Sequence, residues 1–448
     1  MQSTRYVQIG GYMGHMKDAP EAIAQALRVG ETGIELVLGI RSCGASYLLL
    51  PENRWRGRRV SNPWPAERFM SLSPIRFNSA TELVKKLHTL MSKKTKNGAP
   101  RDRSKANSGY VTSGEDSSPV GIARATFEHQ RVFVMLHRRE LNNLSNYALQ
   151  PAPWLHDVKV FSFACNTWTA DTRSLTEREQ NPHILDLGWS EFTVPDEHGD
   201  LAIESSVHLR IKENMLLQNP RMKRLNFSYG TTEIMDKTAI CSRLKQFFAP
   251  STVGDTVPPK ILLVHDAQKA LKILQAFGVD TSQWESGIFR LLYHSMRGHD
   301  SYPSLHQPSV YVIDVHLMHE KLKQAILPSA NIPNNAHDLS VQGRSDVNDP
   351  AQQGWCAGNE SGLLGRMWYS MARGPTIDEQ RLCRWVMPVI NSAGDVQDPP
   401  QAPNEVNCDD EDDEIDPNDM VGPKEQGSAP GPSATSDIYA NMSDDDDW

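Results

Sequence analysis

Apolar and polar positions in the second half of the chain fall into short strand-like runs separated by helix-length ones. Residues 159–165 (KVFSFAC), 183–192 (HILDLGWSEF) and 207–213 read as strands. Residues 260–264 (KILLV) and 309–315 (SVYVIDV) are nearly continuous apolar runs of the kind buried on both faces. Residues 231–248 place Ile234, Ala239, Ile240, Leu244 and Phe247 along one helical face. Further helices are predicted over 267–277, closed by Gly278, over 317–326, ahead of Pro328, and over 359–372, ahead of Gly374 and Pro375. Residues 331–354 read as loop. Upstream, 131–136 (RVFVML) reads as a strand leading into a helix over 139–147.

Three strands with short connections, followed by strands that alternate with helices, give an α/β pattern. The first three can form an antiparallel meander, and the later ones need helical crossovers and should be parallel. A mixed sheet flanked by helices is therefore expected. Residues 1–91 hold helical patterns at 20–29 (PEAIAQALRV) and 80–91 (ATELVKKLHTLM) and apolar runs at 34–40 and 47–50, a region with no assigned fold. Residues 92–120 form a polar, basic linker, and 121–157 a strand–helix lead-in to an α/β domain over 158–374. An extension, 375–403, and a disordered acidic tail, 404–448, complete the division.

Charge sharpens this division. Residues 404–448 hold fifteen acids and one base, a net −14 within a chain of net −9, so the rest is mildly basic at +5. The tail reads as a solubilising end, or as a competitor with nucleic acid for the basic body. Ser443 ahead of four aspartates suits an acid-directed kinase. The six cysteines are scattered, with no CxxC pair, which argues against zinc ribbons and disulfide scaffolds. No apolar run has membrane-spanning length, and the first residues do not have the pattern of a signal peptide. A cytoplasmic or nuclear location is expected.

Five stretches carry a resemblance: ILDLGWSEF, RIKENMLLQNPRMKRLNFSYGTTEIM, LLVHDAQKALKILQAFGVD, YVIDVHL and WCAGNESGLLGRMWYSMA. In this order they resemble the ribonuclease H-like superfamily. More narrowly, they are similar to the DEDD 3′–5′ exonucleases of the histidine type, with the fungal domain at the C-terminus of the "great for full DEAD-box protein activity" proteins as the nearest likeness. The resemblance implies a mixed sheet and a site where four acids hold two divalent ions about 4 Å apart, with a histidine as general base. Carried over one position at a time, it puts the first two ligands at Ala164 and Asn166 in FACNTWT. The third falls at Ala270, the histidine at Trp355, and the fourth ligand at Glu360. One acid in four is retained and the base is lost. The expectation is a pseudo-exonuclease that binds RNA or single-stranded DNA without cleaving it. The alternatives are a protein-interaction scaffold, or a residual nuclease using substitute acids. No cofactor is expected, Mg²⁺ being implied only by the residual-nuclease alternative.

Other candidate residues have plainer readings. Asp171, Asp186 and Asp266 read as solvated or capping carboxylates, and Asp314 as a turn or helix cap. His316 and His319 share a helical face but lack a third metal ligand. Arg54, Trp55, Arg56, Arg58 and Arg59 interleave cations with an aromatic, which suits phosphate neutralisation and base stacking, or simply a basic loop.

Overall fold

The computed structural model describes residues 4–11, 19–29, 33–55, 63–90, 93–94, 100–101, 118–196, 199–220, 222–249, 258–293, 308–323, 331–341 and 354–385. The acidic tail and most of the basic linker lie outside these residues. All the described residues fall within the compact unit Met1–Met387.

The unassigned N-terminal region is a five-stranded sheet. Its strands are β1 (Arg5–Gly11), β2 (Ile34–Ile40), β3 (Ser46–Pro51), β4 (Trp64–Pro65) and β5 (Ser71–Phe77), in the order β4-β1-β3-β2-β5. Every pairing in it is antiparallel. Helices α1 (Pro20–Ala26) and α2 (Ala80–Leu90) pack together, and Ile23 and Leu83 join Leu36, Leu38 and Ile75 in one core cluster. Within the linker, β6 (Lys93–Lys94) pairs with β7 (Pro100–Arg101).

A long helix, α3 (Pro119–His137), replaces the strand expected at 131–136. The run RVFVML looked like a strand because β-branched and aromatic residues crowd it. Here Phe127, Val132, Phe133 and Val134 are all fully buried. A helix buried on all sides loses the one-sided period that would announce it. It packs on β5 and on the helices of the second half, and its polar groups bind both. Glu128 accepts from Ser73 Oγ at 2.7 Å and from the Ile377 amide at 3.1 Å. Arg131 donates to the Gly374 carbonyl at 2.9 Å. The helix expected over 139–147 shrinks to a single 3₁₀ turn, Leu144–Tyr147.

The second half forms a seven-stranded mixed sheet from β8 (Lys159–Thr167), β9 (Ile184–Thr193), β10 (Ala202–Ile211), β12 (Glu233–Met235), β13 (Lys260–Val264), β14 (Glu285–Ser286) and β15 (Val310–Asp314). A separate two-residue ladder joins β11 (Lys223–Arg224) to β16 (Gly354–Trp355). The sheet order is β12-β10-β9-β8-β13-β15-β14. β8, β9 and β10 form the antiparallel meander, and β13 and β15 add in parallel, as the connection lengths predict. The helices are α4 (Leu175–Gln180), α5 (Lys237–Phe248), α6 (Ala267–Ala276), α7 (Phe289–Leu292), α8 (Val315–Lys323), α9 (Ile332–Asp338), α10 (Ala357–Ala372) and α11 (Ile377–Trp385).

Two boundaries differ for local reasons. The helix expected from Thr231 begins at Lys237, because Asp236 accepts the Ala239 amide at 2.8 Å as its N-cap. That leaves Glu233–Met235 to pair with β10. Residues 331–354 are not all loop: Asn331 accepts from the Asn334 amide at 3.0 Å and starts α9. Among the described residues, no helix is long and apolar enough to cross a membrane.

Candidate functional site

The alternation of β8 divides the site from the core beneath it. Phe161 and Phe163 enter an apolar cluster with Ile240, Leu244, Ile273 and Leu274 of α5 and α6. Ser162, Ala164 and Asn166 turn to the opposite face, under α10. There Ser162 Oγ donates to the Ser361 carbonyl at 2.7 Å, and Ala164 joins the cluster of Ala357, Leu363 and Leu364. At the end of the row, Asn166 Nδ2 donates to Glu360 Oε2 at 2.9 Å.

Neighbouring β9 repeats the pattern with Asp186, Gly188 and Ser190 facing α10. Gly188 lets helix and strand touch backbone to backbone: a Cβ there would lie 2.5 Å from the Gly358 nitrogen and 2.7 Å from the Ala357 carbonyl carbon. Two residues along, Asp186 Oδ2 accepts the Ala357 amide at 3.0 Å. Cys356, the N-cap residue of α10, makes no side-chain cap, so Asp186 caps the helix from another element. A carboxylate suits the positive end of the helix dipole.

Asp186 Oδ2 also bonds His208 Nε2 of β10 at 2.7 Å. Cys356 Sγ lies 3.8 Å from the same nitrogen, and Thr232 Oγ1 lies 2.9 Å from His208 Nδ1. This is not a nucleophilic triad. One imidazole nitrogen faces both the acid and the thiol, and all three residues are buried. Burial pushes the Cys356 thiol up to about 12, away from thiolate. Glu360 is 6% exposed, and burial first, then the Asp186 charge, push its carboxyl up to about 8. Asn166, the Cys356 amide and the Lys269 charge oppose the shift. Glu360 is consequently neutral over most of the physiological pH range.

The five resemblance positions thus separate. Asn166 and Glu360 touch, and Ala164 packs under the same helix. Trp355 is 1% exposed in the β11–β16 ladder, and its indole nitrogen has no hydrogen-bond partner among the described residues. Ala270 does not join them: α6 lies on the other face of the sheet, and Ala270 packs with Ile273 and Phe163 there. Of the substitute acids, Asp266 caps α6 through the Lys269 amide at 2.9 Å, as expected of a capping carboxylate. Asp171 is buried rather than solvated, and the Arg173 guanidinium, 2.6 Å away, lowers its carboxyl to about 2. Asp186 is a cap but is fully buried, not solvated. Asp314 accepts the Leu317 and Ala267 amides, both at 2.9 Å, as expected of a turn acid. His265 and His316 both face Asn335 Nδ2, at 2.9 and 3.0 Å, and His319 pairs with Asp338.

Arg54 and Trp55 sit at the N-terminal sheet, Arg54 donating to the Glu35 carbonyl at 3.3 Å and Trp55 packing on that sheet's core. Arg56, Arg58 and Arg59 lie outside the described residues. A different basic surface flanks β8. A cleft of about 980 Å³ is lined by Trp168, Arg178, His183, Lys269 and Lys272, with Asp171 and Asp266 on its wall. The ring of Trp168 meets His183 edge-on at 5.9 Å.

Sequence reasoning missed His208 and Cys356 and undervalued Asp186. A signal existed in ILDLGWS. The positions facing away from Leu187 and Trp189 are Asp, Gly and Ser, which is unusual for a buried strand face.

Residues 162–327 match the family model described as DNA polymerase III subunit epsilon-like, C-terminal domain. The match covers less than half of the chain and lies over the seven-stranded sheet, supporting a DEDDh exonuclease-like, ribonuclease H-like domain there. No curated protein matches the chain.

Proposed function

We propose that the protein is an exonuclease-like module that binds single-stranded nucleic acid, RNA or DNA, without hydrolysing it. The observation that carries this reading is the state of Glu360. It is the one carboxylate among the five resemblance positions, it is buried, and its oxygens are engaged by Asn166 and the Cys356 amide. Hard divalent ions need several charged or water oxygens. Two alanine methyls, an indole and a carboxamide whose amino group is spent on Glu360 do not fit a pair of them. The finer likeness to the fungal C-terminal domain rests on the five sequence motifs and is part of the proposal.

The cleft beside Trp168 supplies the binding half of the reading. Arg178, Lys269 and Lys272 can neutralise successive phosphates, and Trp168 and His183 offer rings for stacking. Of the two acids there, Asp171 is neutralised by Arg173 and Asp266 caps a helix.

The test is a labelled single-stranded oligonucleotide incubated with the full chain. No shortening is expected with Mg²⁺ or Mn²⁺. Binding should weaken steeply as salt rises, and Lys269→Glu with Lys272→Glu should weaken it by about tenfold or more. Ion-dependent degradation that disappears in Glu360→Ala would overturn the inactive reading. Salt-insensitive binding, or none, would favour a protein-binding scaffold instead.

A further inference from the structure

The geometry points to a buried site for one borderline or soft divalent cation, Zn²⁺ in type, held by Asp186, His208 and Cys356. This site differs from the two-ion arrangement of nucleases: beside one carboxylate its donors are an imidazole and a sulfur, and all three residues are buried. The ligand atoms of the three residues all lie within 4.8 Å of one another. They come from β9, β10 and the start of α10, which is how a structural ion ties elements together.

The distances fit with little movement. Tetrahedral zinc places sulfur about 2.3 Å and imidazole nitrogen about 2.0–2.1 Å from the ion, which sets these donors about 3.5 Å apart. Cys356 Sγ and His208 Nε2 are already 3.8 Å apart. His208 Nε2 and Asp186 Oδ2, now 2.7 Å apart, would open by about 0.7 Å on the same geometry. A second, independent feature points the same way. Asp186 Oδ1 is buried in a residue with 0% exposure and has no hydrogen-bond partner among the described residues. Such an orphaned acceptor is costly, and a bidentate carboxylate on a cation would satisfy it.

Charge and protons balance. Binding releases the Cys356 thiol proton to solvent, so the ion's two positive charges meet one carboxylate and one thiolate. The neutral His208 carries its remaining proton on Nδ1, where Thr232 Oγ1, 2.9 Å away, can accept it. A threonine hydroxyl donates or accepts equally well, so this partner serves both tautomers.

Because the site is closed, the ion should enter during folding, and the test uses full-length chain from cells grown with added Zn²⁺ or Co²⁺. Elemental analysis should find close to one ion per chain. The cobalt form should show a sulfur-to-cobalt charge-transfer band in the near ultraviolet. Cys356→Ser should remove that band and reduce bound metal by about tenfold or more, whereas Cys165→Ser and Cys241→Ser should keep both. Should Cys356→Ser fail to fold, chelation of the wild-type protein under mild denaturant decides the matter, since removing a resident ion lowers its melting temperature. Wild-type chain without metal, or a folded Cys356→Ser that keeps the band, would overturn the proposal.

Discussion

The two faces of the seven-stranded sheet are built from the same strands and obey different rules. The face under α5 and α6 is built of apolar side chains: Phe161, Phe163, Leu187, Trp189, Leu262 and Val264 meet Ile240, Leu244, Ile273 and Leu274. The face under α10 buries Ser162, Asp186, Ser190, His208, Glu360 and Ser361 beside Ala164 and Leu364. Volume filling stabilises the first. The second needs every polar group placed, because each buried donor or acceptor left alone costs about 1–3 kcal/mol. The second face is therefore the less tolerant of substitution.

The largest effect should come from the apolar face. Phe163→Ala should cost about 3–5 kcal/mol in urea unfolding, from lost burial and the cavity left behind. Phe163→Leu should restore most of it; if both variants cost the same, shape rather than volume rules that face too. Next, Gly188→Ala on the polar face adds a single methyl, yet should cost about 2–3 kcal/mol. The new carbon meets the backbone of Ala357 and Gly358, which cannot rotate away. A cost below about 0.5 kcal/mol would mean that α10 slides freely and the close seat is not a constraint.

A smaller change is expected from Ser162→Ala, which removes one hydrogen bond to the Ser361 carbonyl and should cost about 1 kcal/mol. An unchanged midpoint would show that this face tolerates the loss of a buried hydrogen bond.

An effect of comparable size concerns pH at the end of β13. His265 is held down to about 4 by burial and by neighbouring His316, whose ring lies 4.6 Å away. Its neutral form stabilises the fold fully above the unfolded value near 6.5. That stability is lost as pH falls from there through about 4, because the unfolded chain takes up the proton first. A loss of about 1–2 kcal/mol across that window, flattened in His265→Gln, is the expected urea-unfolding result. Equal slopes in both proteins would assign the acid sensitivity elsewhere.

Much of the fold was legible because strand burial leaves a local mark. KILLV, HILDLGWSEF and the helix closed by Gly278 lie within a residue or two of where the pattern puts them. Connection lengths also foretold the antiparallel meander of β8–β10 and the parallel pairing of β13 and β15. What misled was burial without period. RVFVML is helical and buried between the N-terminal sheet and the helices of the second half, and no window of sequence contains that fact. The site was half legible: the motif order located Asn166 and Glu360, which touch, but also Ala270, which packs on the far face.

By itself, then, the sequence determined the alternation, the caps and the charge: which residues can be strand, where helices stop, and that four of the five resemblance positions lack a carboxylate. Only the tertiary structure decided the partners of Asp186, the neutrality of Glu360 and the convergence of His208 with Cys356. Those properties depend on α10 meeting strands far from it in the chain, where water is excluded. Burial and proximity, unlike propensity, belong to no single residue.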